Sequence, residues 1–114
     1  MALTEGQNKR FFELHARICR TLAHAKRLEI LNLLREGELP VSELAKRMGV
    51  SLPNASQHLA ILRGQGVVTA RQEGVSIYYH VADPRITQAC DLMRTVLFDQ
   101  LARGSELVRI AEES

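Results

Sequence analysis

Polar side chains that can hydrogen-bond with nucleic-acid bases are concentrated between Ser51 and Leu59, in the run Ser-Leu-Pro-Asn-Ala-Ser-Gln-His-Leu. Ala55, Leu59 and Leu62 recur at three- and four-residue steps, which predicts the buried face of a helix. The polar residues that then fall on the open face are Asn54, Ser56, Gln57 and His58. Asn and Gln can pair with adenine edges in the major groove, and Ser and His offer further hydrogen bonds. The pattern therefore predicts a helix that contacts double-stranded DNA.

The two ends of this helix add groups that bind phosphate. Ser51 is placed to cap the N-terminus, and Pro53 falls in the first turn, where its missing N–H costs nothing. Free N–H groups at a helix N-terminus also attract phosphate. Arg63 lies near the other end, and we expect Arg71, farther along, to reach the DNA backbone or the adjoining minor groove. DNA contacts are thus predicted from Ser51, Arg63 and Arg71 as well as from the open face.

Helical periodicity extends over most of the remaining chain. The further predicted helices cover 8–25, 26–35, 41–48 and 84–110, the last with a weak point at Gly104. Gly49 follows the third of these helices, where a tight turn favours glycine. Because the Ser51 helix begins directly afterwards, the sequence predicts a helix-turn-helix over 41–63.

A β-hairpin follows the helix-turn-helix. Val67–Arg71 and Val75–Val81 are rich in β-branched and aromatic residues, and 72–74 (Gln-Glu-Gly) predicts the turn between them. A polar helix face alone also fits a plain solvated surface, but the neighbouring helix and the hairpin favour DNA contact. The predicted fold is mainly α with a β-hairpin wing over 67–81, that is, a winged helix-turn-helix.

Length and composition fit one folded domain over 1–114. The chain is 46% hydrophobic and 25% charged, with a net charge of +2. Lys and Arg are in mild excess over 40–85, which permits a nucleic-acid partner. No apolar run approaches the roughly 20 residues of a membrane span, and residues 1–10 lack the apolar segment of a signal peptide. We therefore expect a cytoplasmic protein without membrane contact, in which a structural disulfide is disfavoured.

Four motifs in order along the chain resemble the ArsR/SmtB family of winged-helix repressors. They are Leu22-Ala-His-Ala-Lys-Arg-Leu-Glu-Ile-Leu31, Val41-Ser-Glu-Leu-Ala45, Ser56-Gln-His-Leu59 and Tyr78-Tyr79. The resemblance covers about residues 22–84 and implies repression that responds to a metal or a small molecule. One departure affects the wing, because relatives often have a basic residue where this chain has Val75. Phosphate contacts from the wing then depend on Arg71.

The resemblance also implies a homodimer through the first and last helices, 8–25 and 84–110. The residues agree, since the last helix carries a long apolar stripe and the first has apolar residues that need a partner surface. The stripe is Ile86, Ala89, Cys90, Met93, Leu97 and Leu101, and the residues of the first helix are Phe11, Phe12, Leu14 and Ile18. A twofold dimer presents two recognition helices about one DNA turn (~34 Å) apart, which predicts a palindromic operator.

The sequence allows three interpretations of how the protein responds to an effector. Pro40 and Ser42 occupy the positions of the family's cysteine metal site, and the last helix lacks the histidine of its zinc-type site. Cys19 and Cys90 fall on the two dimerisation helices, which suggests a dithiol switch operated by oxidation or polysulfide. The alternatives are a soft-metal or arsenite site made by His15, Cys19 and Cys90, and plain packing of both cysteines as small hydrophobes.

An enzyme and a winged-helix protein without an effector are the other two classes that the sequence allows. Cys19 and His15 give a nucleophile–base pair in principle, but no Gly-rich phosphate loop or paired carboxylates accompany them, so we predict no enzyme. A winged helix that binds a protein partner, or binds DNA without an effector, is the other alternative. It predicts a DNA affinity that neither thiol reagents nor metals change.

Overall fold

The computed structural model describes residues 2–104 and 106–113; Met1, Ser105 and Ser114, which belong to the predicted 1–114 domain, lie outside the described residues. The helices are α1 (Glu5–Leu22), α2 (Ala25–Leu33), α3 (Val41–Met48), α4 (Leu52–Gly64), α5 (Pro84–Arg103) and α6 (Glu106–Glu113), with a 3₁₀ turn at Leu34–Glu36. The strands are β1 (Leu39–Pro40), β2 (Val68–Glu73) and β3 (Ser76–Val81). This order confirms the predicted winged helix-turn-helix. None of the described helices is both long and apolar enough to span a membrane.

The hydrophobic core joins α2, the helix-turn-helix and the start of the wing. Its buried members are Ile30, Leu31, Leu34, Leu44, Met48, Leu59, Leu62, Val67 and Val68. The inner residues predicted for α4, Ala55, Leu59 and Leu62, are all 0% exposed. Burial of large aliphatic side chains contributes roughly 1.5–3 kcal/mol each, so this cluster fixes the position and rotation of α4.

The wing is a three-stranded antiparallel sheet in the order β1-β3-β2, with Leu39 opposite Tyr79 and Glu73 opposite Ser76. Sequence patterns did not reveal the two-residue strand β1. The predicted turn over 72–74 was wrong, because Gln72 and Glu73 belong to β2 and the turn consists of Gly74 and Val75. Gly74 has φ +62°, a backbone conformation that glycine adopts without strain, so it takes the first of the two turn positions.

The ends of the first and last helices differ from the predicted 8–25 and 84–110. A capping box between Thr4 and Gln7 starts α1 earlier, and α1 ends at Leu22 because the His24 side chain caps the next helix. Within the predicted 84–110, α5 ends at Arg103. The next residue, Gly104, has an extended backbone (φ −116°, ψ −176°), and a separate helix, α6, begins at Glu106. Glycine is unfavourable inside a helix, which accounts for the break at this residue.

The long helices α1 and α5 lie outside the core. Thr21 is the only buried residue of α1, and α5 has none. Large apolar side chains along both helices remain exposed, including Phe11, Met93 and Leu97. The packing that stabilises the protomer therefore leaves an apolar face on each of these two helices.

Replacing a core leucine of α4 should destabilise the protomer far more than replacing an outward-facing residue of the same helix. We expect Leu59→Ala to lower the free energy of unfolding by about 2–5 kcal/mol, because it leaves a cavity in the core. Ile61→Ala, at a side chain that is 42% exposed, is the matched control and should cost about 1 kcal/mol or less. Urea unfolding at equal protein concentration measures both. Equal losses would contradict the assignment of Leu59 to the core.

Candidate functional site

A tight turn and a capped N-terminus position α4 for contact with a partner. Gly49, with φ +67° and ψ +34°, ends α3 in the left-handed conformation and turns the chain toward Ser51. The Ser51 hydroxyl oxygen accepts a hydrogen bond from the Asn54 N–H at 3.2 Å, as predicted for an N-cap. Pro53 falls in the first turn of α4. The first turn is thus fixed by local contacts.

Most of the predicted DNA-contacting residues of α4 lie on its exposed side. Asn54, Ser56 and Gln57 are exposed near the N-terminal end, and Arg63 is exposed in the last turn. The opposite face of the helix is fully buried, so these side chains cannot turn inward without disrupting the core. Amide and hydroxyl groups held in this way offer both donors and acceptors to base edges.

His58 differs from its neighbours because it is half-buried and contacts other residues of the protein. Its ring centroid lies 4.6 Å from that of His24, and its Nδ1 accepts a hydrogen bond from Arg27 Nε at 3.4 Å. Burial lowers the pKa of His58, and the nearby His24, Arg27 and Lys26 lower it further. The sequence placed His58 on the open face, whereas the structure places it at the edge of that face.

Acidic side chains of the protein already engage Arg71. Its Nε donates to both carboxylate oxygens of Glu38 at 2.9 Å, and its Nη1 donates to Glu73 at 2.6 Å. The guanidinium also lies over the Tyr78 ring, 4.8 Å from its centroid. The hydrogen bonds from Arg71 lower the pKa of the Glu38 carboxyl. DNA contact by Arg71 stays a prediction, and it requires Arg71 to exchange Glu38 and Glu73 for DNA phosphate or base edges.

A largely apolar groove of about 980 Å³ runs between α1 and α5 over α2. His15, Cys19 and Cys90 all line it, together with Ile18 and Met93. Both cysteines are free thiols, Cys19 exposed and Cys90 half-buried. Burial raises the pKa of the Cys90 thiol and Asp91 raises it further, while Arg35 and Arg94 act in the opposite direction.

The structure does not assemble the alternative metal site. Among the described residues, no three His, Cys, Asp or Glu side chains lie close enough together to hold a metal ion. His15, Cys19 and Cys90 share the groove without forming such a cluster. Cys19, on α1, and Cys90, on α5, line the same apolar groove from two different helices.

Several residues that shape the site were not identified from the sequence. Arg27 and Glu38 were missed because each acts on a residue more than thirty positions away, His58 and Arg71 respectively. Local patterns carry no signal for such pairs. His24 caps α2, and its Nδ1 accepts from the Lys26 N–H at 3.2 Å.

Relatives with named roles are similar to this chain in sequence. The biofilm growth-associated repressor of Xylella fastidiosa is 33% identical over 96 residues, which cover 84% of this chain and 83% of that protein. The HTH-type transcriptional regulator Rv0324 of Mycobacterium tuberculosis is 38% identical over 87 residues, or 76% of this chain, but the match spans only 38% of Rv0324. The chain thus corresponds to one part of that longer relative.

A solved structure and a family description agree with these relatives. The homodimeric winged helix-turn-helix DNA-binding domain of Mb0332 from Mycobacterium bovis, a possible ArsR-family regulator, superposes with a TM-score of 0.79 and 33% identity. The match covers 91% of this chain and 96% of that domain. Residues 24–70, which include the helix-turn-helix and the start of the wing, match the family described as bacterial regulatory protein, arsR family. The chain belongs to the arsR family of DNA-binding transcriptional regulators.

Proposed function

We propose that this protein represses transcription as a homodimer that binds a palindromic operator through α4 and responds to oxidation of Cys19 and Cys90. The observation that carries the DNA-binding part is the two-sided character of α4. Its inner face is locked in the core, and its outer face presents Asn54, Ser56 and Gln57. Two of these are amide side chains of the type that pairs with adenine in the major groove.

The unburied faces of α1 and α5 support a dimer as the DNA-binding form. Exposed apolar groups such as Phe11, Met93 and Leu97 line or extend the α1–α5 groove, and an apolar surface of this kind is unfavourable in water. A second copy of the chain is the occupant we propose, since the similar Mb0332 domain is homodimeric. Twofold symmetry then pairs two copies of α4 on one face of the DNA.

The shared groove supports the dithiol switch over plain packing. Cys19 and Cys90 line one cavity from two helices that contribute only Thr21 to the buried residues, although Cys90 packs against the edge of the core. A bond between the sulfurs draws α1 and α5 together or fixes their separation. Because the proposed dimer is built on these helices, that change alters the relative position of the two copies of α4.

The two thiols differ in a way that orders the chemistry. Cys19 is exposed, whereas the raised pKa of Cys90 keeps its thiol protonated at neutral pH. The Cys19 thiolate attacks a disulfide or polysulfide donor, forming a mixed disulfide and releasing one reduced sulfur fragment. Cys90, on losing its proton, then attacks the Cys19 sulfur and displaces the second fragment, leaving one protein disulfide. The donor is reduced by the two electrons that the two thiols lose.

Removing the amide groups of α4 should weaken specific binding and spare non-specific binding. We expect Asn54→Ala and Gln57→Ala each to cost about 1–3 kcal/mol on a palindrome from upstream of the protein's own coding sequence, because each removes base contacts. Fluorescence anisotropy titration against that DNA and a scrambled duplex measures both effects. Gln88→Ala, at an exposed position of α5, is the matched control and should leave both affinities unchanged.

The same titration with a single half-site tests the dimer. Half-site DNA should bind at least about tenfold more weakly than the palindrome, because only one copy of α4 is then engaged. Equal binding of the two duplexes would overturn the palindromic dimer. Undiminished discrimination between specific and scrambled DNA in both alanine variants would overturn the assignment of α4 as the contact helix.

Neutralising Glu38 should strengthen DNA binding if Arg71 contacts phosphate. Glu38→Gln removes one of the two carboxylates that hold Arg71, and with it a negative charge beside the wing, while Glu73 remains. We expect affinity at low salt to rise by about fivefold, and the slope of log affinity against log salt to steepen by about one. Glu13→Gln, which releases Arg10 on α1, is the charge-matched control. An affinity no higher than that of the control would show that Arg71 does not bind DNA phosphate.

Oxidation should change DNA affinity only when both cysteines are present. Because the chain has two cysteines, one Cys19–Cys90 disulfide uses both thiols. We expect reduced and polysulfide-treated protein to differ in affinity by about 5- to 150-fold, and Cys19→Ser and Cys90→Ser to show no difference. Before oxidation, alkylation at neutral pH should be faster at Cys19 than at Cys90.

The outcomes separate the thiol switch from its alternatives. Non-reducing electrophoresis and mass measurement show whether the disulfide forms within or between subunits. Unchanged affinity in fully oxidised protein would mean that both cysteines only pack. A change produced by arsenite or a soft divalent metal, but not by oxidation, would replace the dithiol switch with a ligand site in the groove.

A further inference from the structure

The side chain of Arg27, on α2, contacts both α1 and α4. Arg27 lies in the first turn of α2 and is half-buried. Its Nη1 donates to the main-chain oxygen of Thr21, near the end of α1, at 3.0 Å. Its Nε donates to His58 Nδ1 on α4 at 3.4 Å. One planar guanidinium therefore contacts α1 and α4 at the same time.

The contact with Arg27 determines which nitrogen of His58 carries the proton. A guanidinium has donors and no acceptor, so the Nδ1 that faces it must be unprotonated. In the neutral ring the proton is then on Nε2. The other groups facing the ring, His24 and Lys26, add no carboxylate, and together with burial they keep the pKa of His58 low. The neutral Nε2–H form therefore prevails at neutral pH.

The Nε2 atom of His58 is available to an external partner. No hydrogen bond among the described residues involves it, and no buried side-chain nitrogen or oxygen in the described chain lacks a partner. The unpaired Nε2 therefore reaches the surface. Its neighbour in sequence is Gln57, which is exposed on the face proposed to bind DNA.

We infer that Arg27 is a positioning residue for DNA recognition, which holds His58 as a neutral Nε2–H donor toward an acceptor on the DNA. The inference rests on the proposed function of α4 and adds the polarity of one contact. The acceptor is a purine N7 or carbonyl oxygen on a base edge, or a phosphate oxygen. An amino group of adenine or cytosine is excluded at this contact, because donor would face donor.

Nitrogen-15 NMR of the free protein tests the tautomer directly. Long-range proton–nitrogen correlations distinguish the Nδ1–H and Nε2–H forms, and His58→Gln assigns the signal. We expect the Nε2–H form in the parent protein and in Lys26→Met, which removes an adjacent charge without removing the hydrogen bond. Arg27→Met should shift the ring toward a mixture of tautomers. An Nδ1–H ring in the parent, or an unchanged ring in Arg27→Met, would overturn the inference.

A double-mutant cycle on DNA separates positioning from simple support of the fold. Gln places an amide donor near the position of Nε2 and has no ring tautomer for Arg27 to select. Arg27→Met should therefore lower specific affinity about fivefold to tenfold in the parent and less than twofold in the His58→Gln background. Equal losses in both backgrounds would mean that Arg27 acts only through the α1–α2 corner, and would sink the inference.

Modified operators identify the acceptor and separate this inference from the proposed function. Replacing purines by their 7-deaza analogues should abolish the Arg27–His58 coupling if the acceptor is N7. Methylphosphonate linkages, which lack the charge and one non-bridging oxygen, should reduce the coupling if the acceptor is phosphate. Persistence of the coupling with both points to a carbonyl oxygen of a base.

If Asn54→Ala and Gln57→Ala weaken specific binding while the cycle shows no coupling, only the inference fails. If those two variants have no effect, the proposed function itself fails.

Discussion

Burial of Leu59 and Leu62 in the core formed with α2 and α3 is the constraint on which the rest of the site depends. In a helix each residue is turned by a fixed angle from the last, so fixing the buried face also fixes which residues point away from it. Asn54 and Gln57 are outward for this reason rather than through contacts of their own. The polar face needs no internal partners to hold it, which leaves its hydrogen-bonding groups available to DNA.

The same core leaves most of α1 and α5 outside the buried part of the protomer. Thr21 is the only buried residue that these two helices contribute, while Leu22, Ile86 and Cys90 pack against the edge of the core. Polar contacts also link these helices to the rest of the protomer. Arg35, in the 3₁₀ turn after α2, donates to Asp91 of α5 at 2.8 Å, and Arg94 of α5 donates to Asn32 of α2 at 3.2 Å. Arg27 joins the end of α1 to His58. A displacement of the groove walls, near Cys19 and Cys90, therefore has a physical connection to the recognition helix.

The sequence predicted the elements whose signals are local. The helix-turn-helix follows from periodicity, from a glycine that the turn requires and from the Ser51 cap, all within a few residues. The partners of Arg71 and His58 could not be predicted, because Glu38 and Arg27 are remote in sequence and approach only when the wing and α4 pack. The position of the β-turn was also missed, since Val75 has the composition of a strand but lies opposite no partner at the tip.

The ion pairs near α4 favour recognition through directional hydrogen bonds over long-range attraction between charges. Arg71 is shared between two carboxylates, and Arg47, in the helix before α4, is paired with Glu43. Such pairing weakens the long-range attraction to DNA that contributes most of non-specific binding. Amides and a neutral imidazole donor lose little affinity in salt, and they discriminate by the geometry of donor and acceptor. In a protein with a net charge of +2, the selectivity proposed for the rigidly held polar face of α4 rests on hydrogen bonds that only a matching DNA sequence satisfies.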